Sequence, residues 1–171
     1  TKNMELFEVI KLAEANMLGN KLHFYDQSLK NTVNVLMKSL YAKNSREMIH
    51  SNRVSIISKE LALMMNLDKY NVEKARIAGL VHDIGKIGIP DHILNKATSL
   101  TIDEYKAIKE HSLIGYKILN SSIEFSEIAE IILTHHERWD GNGYPRGLKD
   151  ESIPLIARII AIADSFDAII S

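Results

Sequence analysis

The chain has 171 residues, enough for one domain with a continuous core. Its 46% hydrophobic and 25% charged residues describe an ordinary globular protein, and a net charge of −1 supplies no field for a nucleic-acid polymer, so an anionic substrate must be held locally. No apolar run approaches the ~20 residues of a membrane span, no signal pattern opens the chain, and the absence of cysteine excludes disulfides and fits a cytoplasmic domain.

With only three prolines and eight glycines, long stretches keep helical spacing and an all-α fold is expected. Leu6, Phe7, Ile10, Leu12 and Met17 place an apolar face on a first helix over Met4–Leu18, stopped at Gly19-Asn20. A second helix is expected over Leu22–Ala42; its Leu36, Met37 and Leu40 form a core or partner-facing stripe. Residues 1–45 are therefore read as N-terminal helices that either relay a signal or complete the core, ahead of a core spanning 46–171. His23 and His92 have no partner motif and are read as ordinary hydrogen-bonded groups.

Val54, Ile57, Leu61 and Met64 mark a helix from His50 to Met65, and Val72 to Asp83 forms another, packed through Ala75, Ala78, Gly79 and Val81. His82 and Asp83 fall at its end, where Gly85 and Gly88 allow a sharp turn that returns Lys86 toward them. Thr101 with Glu104 forms a capping box opening a helix through about Asn120, with His111 in its middle. A helix from Ile123 runs into His135-His136, and Pro154 starts the last one, which carries Asp164 toward Ile170. That helical pattern is still apolar at Ser171, and the first residue is Thr1, so the chain is expected to be part of a longer protein.

Five of the seven histidines, His50, His82, His111, His135 and His136, fall into a pattern with Asp83 and Asp164. Neutral imidazoles with carboxylates and no thiolate suit divalent metals such as manganese or iron, and also permit zinc, nickel or cobalt. Adjacent helical residues diverge by about 100°, so the pairs His82-Asp83 and His135-His136 address two neighbouring ions more readily than one.

The segment His135-His136-Glu137-Arg138-Trp139-Asp140-Gly141-Asn142-Gly143-Tyr144-Pro145, together with His82-Asp83-Ile84-Gly85-Lys86, closely resembles the HD-GYP family. This is a branch of the HD phosphohydrolases whose members act on cyclic di-GMP. The likeness runs in register from about His50 to the end, through His50-Ser51-Asn52-Arg53-Val54, Ile89-Pro90-Asp91, His111 with Gly115, Ile153-Pro154-Leu155, Ala157-Arg158-Ile159 and Ala163-Asp164-Ser165-Phe166-Asp167-Ala168.

The resemblance implies an HD-type helical bundle with a dinuclear metal site and a GYP loop. It makes Asp83 the bridging carboxylate, with His82, His50 and Asp164 around one ion and His111, His135 and His136 around the other. It also tilts the metals toward iron or manganese. Some members hold a third ion with a glutamate four residues before the first histidine; Arg46 stands there and Glu47 is one residue off, so two ions are expected. Lys86 occupies the family's lysine position and is expected to hold phosphate, its alternative being a helix-end cation.

Tyr144 and Trp139 give the loop apolar area for substrate or for a partner such as a diguanylate cyclase (GGDEF) domain, and a homodimer also fits. Asp167, Asp140 and Glu137 are candidate hydrogen-bond partners of the ligands, while Arg53 and Arg158 are expected in structural salt bridges. The family usually continues past Ser171 with basic and aromatic residues that grip phosphate, and commonly has proline where Ala97 stands.

Two ions ~3.5–4 Å apart clamp a phosphodiester and lower the pKa of a bridging water. The implied activity is hydrolysis of cyclic di-GMP to pGpG or GMP, with Asp83 and Lys86 as catalytic residues and Lys86 and Tyr144 contacting substrate. The rivals are an HD-type hydrolase of another cyclic dinucleotide or nucleotide, and a non-catalytic module that senses cyclic di-GMP or docks a protein.

Overall fold

A computed structural model describes residues 34–171 and, ahead of them, Glu8, Val9, Lys11 and Met17. Most of the expected helix over Met4–Leu18, most of that over Leu22–Ala42, and His23 lie outside the described residues. The chain divides into two compact units, Thr1–Asn34 and Val35–Ser171, and the second carries every candidate site residue.

The described residues contain no strand. Seven helices follow in order: α1 (Asn34–Lys43), α2 (Ser45–Met64), α3 (Lys69–Val81), α4 (Asp91–Leu94), α5 (Ile102–Leu119), α6 (Ser126–Thr134) and α7 (Leu155–Ile170). Short 3-10 turns lie at Ile84–Gly88, Ile123–Phe125 and Asp150–Ser152. The brief α4 and the three 3-10 turns carry no periodic signal long enough to read from sequence.

Caps explain where the helices begin. Asn44 Oδ1 accepts the Arg46 N–H at 3.1 Å and opens α2 five residues before the expected start at His50. Asp68 Oδ1 accepts the Asn71 N–H at 2.9 Å and opens α3 at Lys69 rather than Val72. The capping box expected at Thr101 is formed, with the Glu104 N–H donating to Thr101 Oγ1 at 3.2 Å and the Thr101 N–H to Glu104 Oε2 at 2.7 Å. Pro154 sits at the N-cap of α7 with an extended ψ of 136°, one residue before the helical turn expected for it.

The core lies where α2 packs on α3 and α7, and α5 on α6 and the Ile84–Gly88 turn. Val54, Ala75, Ile77, Ala78, Val81, Ile84, Ile128, Ile132 and Ile160 are each at most 1% exposed. Burying each of the isoleucines stabilises the fold by roughly 1.5–3 kcal/mol. Lys43 ties α1 to the segment between α3 and α4, its Nζ donating to the Ile87 carbonyl at 3.2 Å and to the Ile89 carbonyl, and pairing with Asp91 at 2.9 Å.

Gly85 acts differently from the sharp turn expected of it, because its φ is not left-handed. A Cβ there would stand 1.8 Å from the His111 carbonyl oxygen, so glycine is what lets the turn lie against α5. That close approach is what brings Asp83 and Lys86 beside His111. No described helix is long and apolar enough to cross a membrane.

Candidate metal centre

The structure gathers the expected ligands from five separate elements. His50 projects from α2, while His82 and Asp83 sit in the turn that follows α3. His111 comes from the middle of α5, His135 and His136 from the turn after α6, and Asp164 from α7. Helix α6 stops at Thr134, with His135 as its C-cap and His136 in the turn that follows, and both rings reach the cluster.

Two groups of ligand atoms result, each with all members within 4.8 Å of one another: Asp83, His111, His135 and His136, and His50, His82 and Asp83. Asp83 belongs to both. Its Oδ1 lies 3.4 Å from His111 Nε2, and its Oδ2 lies 3.0 Å from His82 Nε2 and 3.7 Å from His50 Nε2. The carboxylate therefore turns one oxygen toward each group. Asp164 stands outside both, with Oδ1 3.2 Å from His50 Nε2 and 4.0 Å from His82 Nε2.

Anchors on the outer ring nitrogens fix which nitrogen faces inward. The Nδ1–H of His82 donates to the Gly79 carbonyl at 2.8 Å, that of His111 to Ile108 at 2.7 Å and that of His135 to Ile132 at 2.6 Å. A carbonyl only accepts, so each Nδ1 carries the proton and each neutral ring presents a bare Nε2 lone pair to the centre. His50 Nδ1 is held by Asp167 Oδ2 at 2.8 Å in the same manner.

The Nε2 lone pairs of His111 and His135 face one another at 3.4 Å without a hydrogen between them, while His136 Nε2 lies 3.1 Å from His111 Nε2 and His50 Nε2 lies 3.3 Å from His82 Nε2. Acceptors aimed at one another in a buried site repel unless a cation sits among them. His82, His111 and His135 are each at most 1% exposed. The donor set, nitrogen and oxygen without sulfur, thus fits divalent metal, and the cluster together with the fold identifies a metal-binding centre.

The two halves differ electrostatically. His50 is raised to about 9 by its hydrogen bond to Asp164, against the effect of burial. Burial also opposes charge at His82, but the adjacent Asp83 outweighs it and raises the imidazole. On the other side burial lowers His111; burial and the neighbouring imidazoles hold His135 well below its ordinary range; and burial with His111 brings His136 down to about 4. Burial would raise Asp83, yet His82 and Lys86 hold it well below the usual carboxylate range.

Lys86, the expected phosphate lysine, lies beside the cluster in two ion pairs. Its Nζ lies 2.7 Å from Asp83 Oδ2 and 3.0 Å from Glu47 Oε1, and these carboxylates raise its pKa despite burial. The buried Glu47 sits three residues before His50 on the same face of α2, which is the sequence signal for its role.

Of the three carboxylates considered as partners of the ligands, only Asp167 is one. It also pairs with Arg53 through both guanidinium Nε and Nη2, the latter at 2.9 Å, so Arg53 makes the expected salt bridge. Glu137, 4% exposed, is engaged by the loop backbone, its Oε1 accepting the Arg146 N–H at 2.6 Å and its Oε2 the Leu148 N–H at 2.9 Å. It clamps the return of the loop. Asp140 accepts the Asn142 N–H at 2.9 Å and pairs with Arg138 at 2.8 Å. Arg158 forms no ion pair among the described residues and lies with its guanidinium carbon 5.6 Å from the Trp139 ring centre.

Gly143 rests directly on the loop's start, since a Cβ there would lie 2.3 Å from the Arg138 nitrogen. This packing sets Tyr144 on His136, ring centres 4.9 Å apart and 29° from parallel. Lys109 Nζ lies 5.5 Å from the same tyrosine ring. Burial raises the Tyr144 hydroxyl and keeps it protonated at neutral pH.

Two clefts flank the cluster. One of about 510 Å³ is walled by Tyr105, His135, His136, Asn142, Tyr144 and Asp164. The other, of about 470 Å³, lies between Arg46, Glu47, His50, Arg53, Lys86 and Asp164. Both have the size of small-ligand sites.

A family model described as "HD domain" matches residues 22–171. The chain is 49% identical over 124 residues to a cyclic di-GMP phosphodiesterase of Thermotoga maritima, covering 71% of this chain and 34% of that protein. It is 37% identical over 145 residues to a 3'3'-cGAMP-specific phosphodiesterase of Vibrio cholerae, covering 84% and 28%. Among solved structures, an HDG"Y"P protein from Bdellovibrio bacteriovorus superposes with a TM-score of 0.64 at 20% identity, over 90% of this chain and 51% of that one. The chain spans about a third of the length of the curated relatives it matches. With its paired His-Asp and His-His ligand sites and its Gly-Tyr-Pro loop in place, the chain belongs to the HD domain family, in the HD-GYP branch.

Proposed function

We propose that this domain is a metal-dependent phosphodiesterase that hydrolyses cyclic di-GMP to pGpG or GMP in bacterial second-messenger signalling. The observation that carries the reading is the buried cluster itself, in which Asp83 turns one oxygen to each of two histidine groups beside two ligand-sized clefts. Asp83, His111, His135 and His136 would hold one divalent ion, and Asp83, His50 and His82, with Asp164 alongside, a second. The donor set permits several divalent metals, and the HD-GYP resemblance tilts the choice toward iron or manganese. Such a pair, when bound, polarises a phosphodiester and lowers the pKa of a water between the ions.

The chain's own residues supply the rest. The backbone carbonyls of Gly79, Ile108 and Ile132 lock three imidazoles with Nε2 inward, so no reorganisation accompanies metal loading. Lys86 is anchored on Glu47 beside Asp83, where its ammonium would meet a nonbridging phosphate oxygen. Tyr144, whose ring is engaged by His136 and Lys109, offers a protonated hydroxyl as a donor. Glu137 keeps the loop closed behind it. Trp139, 56% exposed, gives the loop an apolar face for a diguanylate cyclase domain. A homodimer and a cytoplasmic setting complete the reading.

Asp83→Ala removes the shared ligand and is expected to abolish both metal loading and turnover, read by elemental analysis and by hydrolysis of cyclic di-GMP. A metal-free Asp83→Ala protein that still cleaved the dinucleotide would refute the assignment. The relative specific for 3'3'-cGAMP favours one alternative substrate, and turnover of cyclic di-GMP against 3'3'-cGAMP decides between them.

A further inference from the structure

We infer that Arg46 binds the second, non-scissile phosphate of a cyclic dinucleotide and directs that half of the substrate into the cleft beside α2. The inference rests on the phosphodiesterase reading above and adds a subsite to it. A cyclic dinucleotide carries two phosphodiester anions, and the His/Asp cluster can take only one at a time. The other must lie in one of the two flanking clefts, where a desolvated anion requires a cation or a set of donors.

Cations line both clefts, but most are held in ion pairs, and Lys86 sits beside Asp83 where the scissile phosphate would bind. In the loop-side cleft Arg138 is paired with Asp140 at 2.8 Å. In the α2-side cleft Lys86 is paired with Asp83 and Glu47, and Arg53 with Asp167. Arg46 lines that second cleft and, among the described residues, its guanidinium has no carboxylate partner. Its backbone is fixed by the Asn44 cap in the first turn of α2, four residues before His50, so the side chain rises on the face that carries the cluster ligand.

The wall chemistry agrees. The loop-side cleft offers Tyr105, Tyr144 and Asn142, groups suited to a base and its sugar. The α2-side cleft offers the uncommitted guanidinium, which takes phosphate oxygens in its planar fork. The substrate would thus straddle the cluster, one nucleoside under the Gly-Tyr-Pro loop and the second phosphate at Arg46.

The test compares two diesters on the metal-loaded chain: cyclic di-GMP, with two phosphates, and bis(4-nitrophenyl) phosphate, with only the scissile one. Arg46→Ala is expected to raise KM for cyclic di-GMP about tenfold, the loss of one charge-assisted contact, and to shift bis(4-nitrophenyl) phosphate kinetics by less than about twofold. Arg46→Lys keeps the charge and should recover most of the loss, and the KM gap should narrow as salt rises. An unchanged KM for cyclic di-GMP overturns the subsite, as does an equal loss on both diesters, which would report damage to the cluster. An unaltered protein that cleaves bis(4-nitrophenyl) phosphate yet neither cleaves nor binds cyclic di-GMP removes the substrate reading and the subsite together. Wild-type turnover with no Arg46 effect removes the subsite alone.

Discussion

Glu137→Gln isolates the loop clamp from the metal centre. The native carboxylate is 4% exposed and accepts two backbone N–H groups, from Arg146 at 2.6 Å and Leu148 at 2.9 Å. A glutamine has one carbonyl oxygen for the two donors, and its amide nitrogen must face the other N–H. One charge-assisted bond is lost, about 1.5–3 kcal/mol, and one buried donor is left unsatisfied. Taking about 2 kcal/mol as the net effect on local opening, the Arg146 and Leu148 amides should exchange with solvent about 30-fold faster. Hydrogen exchange read at those two amides, with α3 core amides as control, measures this directly. Turnover should fall with it, because Gly143 and Tyr144 are seated by the same loop. Unchanged protection at Arg146 and Leu148 would refute the clamp.

Asp167→Asn weakens the hold on His50 and breaks the Arg53 pair, and should lower metal affinity or activity 10–100-fold; chelator competition measures it, and wild-type affinity would contradict the role. Before metal binds, His50 is imidazolium at pH 7, since Asp164 raises it to about 9, whereas His136 at about 4 is already neutral. The raised pKa means that charged His50 stabilises the metal-free fold fully below pH 6.5, a contribution lost as pH climbs through about 9. Metal must displace that proton, so affinity should rise about tenfold per unit from pH 7 to 9, with proton release seen by calorimetry in buffers of differing ionisation heat. A flat profile over that window would count against it. Gly85→Ala places a Cβ 1.8 Å from the His111 carbonyl, which neither backbone can yield cheaply. The cost is about 3 kcal/mol, a Tm lower by roughly 6–12 °C in thermal denaturation, and an unchanged Tm would deny the contact.

What the sequence determined by itself is what local forces set. Helical spacing and the Thr101-Glu104 box fixed the helical class and α5, because those interactions span three or four residues. The residue types at His50, His82, Asp83, His111, His135, His136 and Asp164 carried the metal chemistry, because a donor's chemistry belongs to its side chain. Starts set by single caps, at Asn44 and Asp68, were less legible, since a lone Asn or Asp marks a turn as readily as a helix.

Only the tertiary structure decided how those groups are used. His50 and Asp167 meet across 117 residues, and Glu47 and Lys86 across 39; the sequence offers each as a candidate near a ligand, and only folding pairs them. Gly85 looked like a turn residue and proved to be a packing one, because the obstacle is a carbonyl on another helix. Glu137 adjoins a ligand in sequence yet serves the loop, and Arg46 is distinguished from Arg53 and Lys86 only by the carboxylates folding brings to the other two. Sequence names the charges and donors; which of them are already spent on one another is fixed when the helices pack.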